Sequence, residues 1–108
     1  MIEGLWVVQY EGLQGNGAGV AVFVNGGILG GDNVYTYEGA YSTQDGWLTA
    51  RVRIANFLPD IPSVLGITGD FEVEIQAPFD DRNIQGAMAV VGKSGASIAV
   101  RLTKKADL

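Results

Sequence analysis

The chain is a succession of short runs in which apolar residues alternate with polar ones, each run closed by Gly, Asn or Asp. A period of two with such punctuation is the pattern of β-strands that bury one face. It is clearest over Trp47–Ala55, where Leu48, Ala50, Val52 and Ile54 share one face and Thr49, Arg51 and Arg53 the other. Phe71, Val73 and Ile75 alternate in the same way with Glu72, Glu74 and Gln76. If these two strands pair, Arg51 and Arg53 face Glu72 and Glu74 on the wet side, where each cross-strand pair contributes roughly 0.2–1 kcal/mol. Ser97–Thr103 turns Ile98, Val100 and Leu102 inward, and the runs Gly4–Tyr10, Ala18–Val24, Ile28–Gly31, Val34–Tyr41 and Asn83–Val91 complete a set of eight.

The connections are short. Glu11–Asn16, Asp32-Asn33 and Gly92–Gly95 are turn-rich, and Asn25-Gly26 and Asp45-Gly46 are hairpin signals, because a type I′ turn needs positive φ at both central residues. Asn56–Thr68 contains Pro59 and Pro62 and reads as a longer connection with one helical turn around Ser63–Leu65, while Lys104–Leu108 reads as a frayed tail. Eight sequential strands with short links predict an all-β, up-and-down antiparallel β-barrel over a single domain, residues 1–108, which leaves no exposed edges. A two-sheet sandwich is the competing arrangement. The 16 glycines fall between the β-type runs, where they punctuate strands rather than weaken helices.

Composition narrows the function. With no cysteine and no histidine, disulfides, thiolate metal sites and the commonest general base are all absent. A formal net charge of −5 with scattered basic residues argues against direct nucleic-acid binding. No apolar run is long enough for a membrane-spanning helix and no signal peptide is visible, so a cytoplasmic location is expected. No cofactor is implied. Asp32, Asp45, Asp70 and the Asp80-Asp81 pair all sit at predicted turns, where Asp ordinarily caps backbone N–H groups. Asp80-Asp81 with Asp45 lacks the alternating spacing of a calcium loop, and the glycine clusters lead into strands rather than into the helix a phosphate loop requires. An enzyme working with carboxylates alone is the least favoured class.

Two features point to binding. Gly4-Leu5-Trp6 on the first strand, with Arg101 on the last, is similar to the Gly-x-Trp of lipocalin-like barrels, whose Trp plugs the closed end under an Arg; Trp6 is equally readable as plain core. Val20–Val24 is apolar on both parities, which a strand with one wet face should not be. A second protomer is the simplest cover, so Ala21 or Phe23, whichever faces outward, is placed at a homodimer interface.

From Gly19 to Ile75 the chain resembles the GrlR-like negative regulators of type III secretion genes. The resemblance rests on Asn25-Gly26, Ile28-Leu29-Gly30-Gly31-Asp32, Tyr37-Glu38-Gly39 with Ser42, Ile61-Pro62-Ser63-Val64-Leu65, and Asp70-Phe71. It implies a small lipocalin-like barrel that dimerises, has an apolar interior, and regulates transcription by binding an activator protein rather than DNA. The family's partner-binding feature is an acidic run after the Ser that matches Ser42. The matching positions Thr43, Gln44, Asp45 and Gly46 keep one acid, so the fold carries over more fully than the partner does. Ser42, Thr43, Gln44 and Asp45 are the candidate partner-binding residues, and the expected partner is a basic regulatory protein. The alternative is a carrier of a small apolar molecule inside the barrel. Gly39, Ala40, Ala50 and Gly86 would leave space for one, and Leu48, Phe71, Met88 and Leu102 would close it.

Overall fold

The computed structural model describes residues 1–12, 15–61, 69–93 and 95–108. Its strands are β1 (Gly4–Gly12), β2 (Gly15–Val24), β3 (Gly27–Gly31), β4 (Tyr35–Gln44), β5 (Trp47–Asn56), β6 (Phe71–Pro78), β7 (Asn83–Val90) and β8 (Ser97–Asp107). Each pairs antiparallel with the next, and β8 returns to β1, so the sheet closes into an up-and-down barrel. The predicted sandwich alternative is thereby set aside.

Parity does what the sequence requires. The faces of β5 and β6 carrying Leu48, Ala50, Val52, Ile54, Val73 and Ile75 are buried. Arg51 stands opposite Glu74 and Arg53 opposite Glu72. Arg51 pairs with Glu74 directly across at 3.7 Å, and two further ion pairs run diagonally, from Arg51 to Glu72 at 2.6 Å and from Arg53 to Asp70 at 3.0 Å. Asn25 and Asp45 take positive φ of 50° and 54°, each followed by a positive-φ Gly, as the two Asx-Gly hairpins demand.

Four expectations need correction. β1 and β2 continue to Glu11↔Asn16 and Gly12↔Gly15, so most of the predicted first turn is strand. β4 runs on through Ser42, Thr43 and Gln44, which makes them strand-end positions rather than turn. The C-terminal tail is not frayed: β8 extends to Asp107 and pairs with β1 through Trp6↔Lys104, Leu5↔Ala106 and Gly4↔Asp107. Finally, Ala21 and Phe23 point into the barrel and are 2% and 1% exposed, so neither belongs to an outer interface. The residues of β2 facing outward are Val20, Val22 and Val24. The predicted helical turn at Ser63–Leu65 lies outside the described residues.

The two ends of the barrel are closed differently. At the end where β1 begins, Trp6 is fully buried, lies 5.6 Å from the Phe23 ring, and donates from its indole N–H to the Ile2 carbonyl at 2.8 Å. The cation over its ring is Lys104 Nζ, 5.5 Å from the centroid, and not Arg101. The regular β1–β8 register runs from Val7↔Thr103 to Trp6↔Lys104 and shifts only beyond it, so Lys104 lies opposite Trp6 on the inward face, while Arg101 stands outward beside Gln9. Lys104 Nζ also donates to the Met1 carbonyl and to Asp107, which satisfies a charge taken almost wholly out of water.

At the opposite end, Asp32 follows β3 and gathers four donors. One oxygen accepts the backbone N–H groups of Val34 and Tyr35, both at 2.8 Å, and the other accepts the hydroxyls of Tyr10 and Tyr37, both at 2.5 Å. Gly17 permits this arrangement, because a Cβ there would stand 2.4 Å from the Tyr10 ring.

Candidate interaction surfaces

A barrel of eight strands is near the size at which side chains alone fill the interior. Trp6, Phe23, Tyr35, Leu48, Ile84 and Val73 do so here. Among the described residues, these leave an apolar cavity of about 50 Å³ lined by Tyr10, Tyr37 and Phe23. Pockets for drug-sized ligands run to roughly 300–1,000 Å³. The small residues expected to make room do not. Gly39 is pressed by the backbone, since a Cβ there would meet the Arg51 carbonyl oxygen at 2.2 Å, and Gly86 packs against Ala77. Ala50 is interior but buried among its neighbours, and Ala40 faces outward opposite Arg51.

The Asp32 cluster is poorly matched to acid–base work. Burial acts to raise the Asp32 pKa, but hydrogen bonds from Tyr10, Tyr37 and the Tyr35 and Val34 N–H groups outweigh it and hold the carboxyl below its usual range. Burial, followed by the bond to Asp32, drives the Tyr10 and Tyr37 phenols well above theirs. A weakened base beside weakened acids fixes structure more readily than it moves protons. Among the described residues, no three His, Cys, Asp or Glu side chains gather to hold a metal ion.

The outer surface divides into two walls. Across β4, β5 and β6 it is a charged lattice containing Glu38, Arg51, Arg53, Glu72 and Glu74. Across β1, β2 and β3 it is apolar: Leu5, Val20 and Leu29 are 36%, 48% and 58% exposed, with Val7, Val22 and Val24 half-buried between them. Register places Leu5, Val22 and Leu29 in one row and Val7 and Val20 in the next. Beyond the β1 side, β8 carries Arg101 and Lys105, and beyond β3 stands Glu38 opposite Leu29. Arg101 also borders a shallow polar groove of about 480 Å³ with Gln9, Glu11 and Gln85.

Of the sequence-predicted partner residues, Ser42 and Gln44 share the outer face of β4, Thr43 has the opposite parity but is exposed at the strand end, and Asp45 occupies the turn. Glu38 lies on the same face as Ser42, four residues back and so roughly 13 Å along the strand. The register adds a residue that the sequence reading left unremarked: Trp47, opposite Gln44, is 46% exposed. The inward parity of Leu48 was the signal that would have found it. No family model and no curated protein matches the chain, so the functional reading rests on these surfaces.

Proposed function

We propose that this chain is a non-enzymatic, cytoplasmic interaction module that acts as a GrlR-type negative regulator would, by binding a basic transcriptional activator on its outer surface. The observation carrying this reading is the filled interior: about 50 Å³ of cavity leaves the outer walls as the surfaces with room for a partner. The acidic balance and the Glu38–Asp45 stretch supply complementary charge for steering a basic protein. A pull-down from host lysate tests it, comparing wild type with the double reversal Glu38→Lys/Asp45→Lys at low and high salt. The wild type should capture a basic activator, the capture should fade with salt, and the reversal should abolish it. Equal capture by both rules out this surface, and extraction of an apolar molecule with no protein partner would replace the regulator by the carrier.

The apolar β1–β3 wall supports a homodimer as the form that binds. A two-fold axis running along β2 would lay the wall on its own copy and turn the β8 edge, where Lys105 adjoins the Leu5 row, toward the β4 edge, where Glu38 ends the same row, so the charges at the two edges are complementary. Val20→Glu, placed mid-wall, should convert dimers to monomers in sedimentation at micromolar concentration without loss of fold. A wild-type protein already monomeric there would refute the dimer.

A further inference from the structure

We infer that Trp47 is the anchor of a site for a cationic segment: an arginine or lysine side chain of the partner stacks on its indole face while Asp45 and Asp80 meet the charge. This rests on the reading that the chain binds a basic protein, and it names the residue that would hold the contact.

The protein has two tryptophans with opposite fates, Trp6 fully buried and Trp47 46% exposed. Indole is a large apolar surface with a polar tip, and tryptophan is enriched among the few residues that dominate protein interfaces. Leu48 must point into the core, so Trp47 points out, and its cross-strand neighbours Gln44 and Pro78 carry no charge. Among the described residues, the indole that holds a cation is Trp6, under Lys104; Trp47 has none over it.

Two turns at this end of the barrel carry carboxylates. Asp45 lies two residues before Trp47 in the hairpin turn. The Phe79 N–H donates to the Gly46 carbonyl at 3.0 Å, which ties the next turn, with Asp80, to the same end of the barrel. The backbone N–H groups of Arg82 and Asn83 hold the Asp80 carboxyl below its usual range, so it is charged at neutral pH. Neither Asp45 nor Asp80 has an ion-pair partner among the described residues. An exposed indole at the same end of the barrel as two carboxylates that have no ion-pair partner among the described residues suits a guanidinium or ammonium group.

A hexa-arginine peptide is a direct probe. Trp6 is sealed in the core, so a saturable change in tryptophan emission on titration reports Trp47. By calorimetry, Trp47→Ala should weaken the peptide about fivefold and Trp47→Phe less, the range expected for a partly exposed cation–π contact. Thermal stability should hardly move, since the side chain is a surface one. Glu11→Gln, an acid at the other end of the barrel, should leave binding unchanged. Wild-type affinity in Trp47→Ala, emission that ignores the peptide, or an equal loss in Glu11→Gln would overturn the site. In the lysate pull-down, a partner that the charge reversal loses but Trp47→Ala retains sinks the anchor and leaves the regulator reading standing. Failure of the wild type to capture any basic protein sinks that reading, and the peptide titration then judges the site alone.

Discussion

Trp6→Ala should lower stability by about 3–5 kcal/mol, the range for deleting a large buried aromatic, and part of the loss should belong jointly to Trp6 and Lys104. The indole fills the closed end of the barrel against Phe23, and its N–H is satisfied by the Ile2 carbonyl. Lys104 covers the ring with a side chain that is 0% exposed. A desolvated cation over an indole is worth up to about 2 kcal/mol, whereas an exposed one would be worth less. Lys104→Met keeps most of the apolar stem and removes the charge. A double-mutant cycle between it and Trp6→Ala should therefore give a coupling of roughly 0.5–2 kcal/mol. The same cycle with Arg101→Ala should be additive, because Arg101 stands on the outer face beside Gln9. Chemical denaturation measures all four corners, with Trp6→Phe in reserve should the alanine variant not fold. Coupling to Arg101 and none to Lys104 would contradict the geometry of the closed end.

That exchange of Arg101 for Lys104 marks how far sequence reasoning reached. Strands, their faces and the Asx-Gly hairpins are local properties, written in a period of two and in residues that tolerate positive φ, and they are legible in β5, β6 and β8. The reach of β8 is not local. It depends on how far β8 runs against β1: pairing continues past Val7↔Thr103 to Trp6↔Lys104, so the inward residue beside the indole is Lys104, while Arg101, of the opposite parity, faces outward. Lys104-Lys105-Ala106-Asp107 reads as a solvated tail because nothing in its composition announces a buried acceptor for an ammonium group; the Met1 carbonyl that provides one comes from the other end of the chain.

The orientation of β2 was undetermined for a related reason. Val20–Val24 contains no polar residue to mark the wet side, so parity alone could not choose between Ala21/Phe23 and Val20/Val22/Val24. Pairing settles it, with Gly4 opposite Phe23 and Leu5 opposite Val22. The conclusion that one face of this strand stays apolar outside the core survives the change of residues, because all five are apolar. The candidate partner stretch Ser42–Asp45 and the outward parity of Trp47 are legible in sequence, whereas the pairing of Ser42 with Thr49 and of Gln44 with Trp47 emerges only when β4 and β5 are laid in register.

Asp32→Asn should cost about 2–4 kcal/mol, more than a turn aspartate usually contributes, because hydrogen bonds to a charged group are worth about 1.5–3 kcal/mol against about 1 for neutral ones. Its position after β3 predicts a turn cap, and the bonds to Val34 and Tyr35 N–H fulfil that role. The remaining oxygen ties β1 to β4 through Tyr10 and Tyr37, partners 22 and five residues away. Asparagine can still cap the turn through its carbonyl oxygen, but it presents an NH₂ group to two hydroxyls that were donating, so the substitution isolates the tyrosine clamp. Tyr10→Phe and Tyr37→Phe each leave the carboxylate one hydroxyl and should cost less, about 1–2 kcal/mol. The pH dependence follows from the sign of the shift. The folded-state pKa of Asp32 lies below the ordinary value of 3.8, so its contribution is fully present above pH 3.8 and is lost as pH falls through that value toward the folded-state pKa. The stability gap between wild type and Asp32→Asn should therefore stay constant from neutral pH down to about pH 5 and narrow below pH 4. Urea denaturation at a series of pH values measures the gap. A gap no larger than that of either Tyr→Phe variant, or one that does not narrow in acid, would reduce Asp32 to a turn former and leave this end of the barrel held by apolar packing alone.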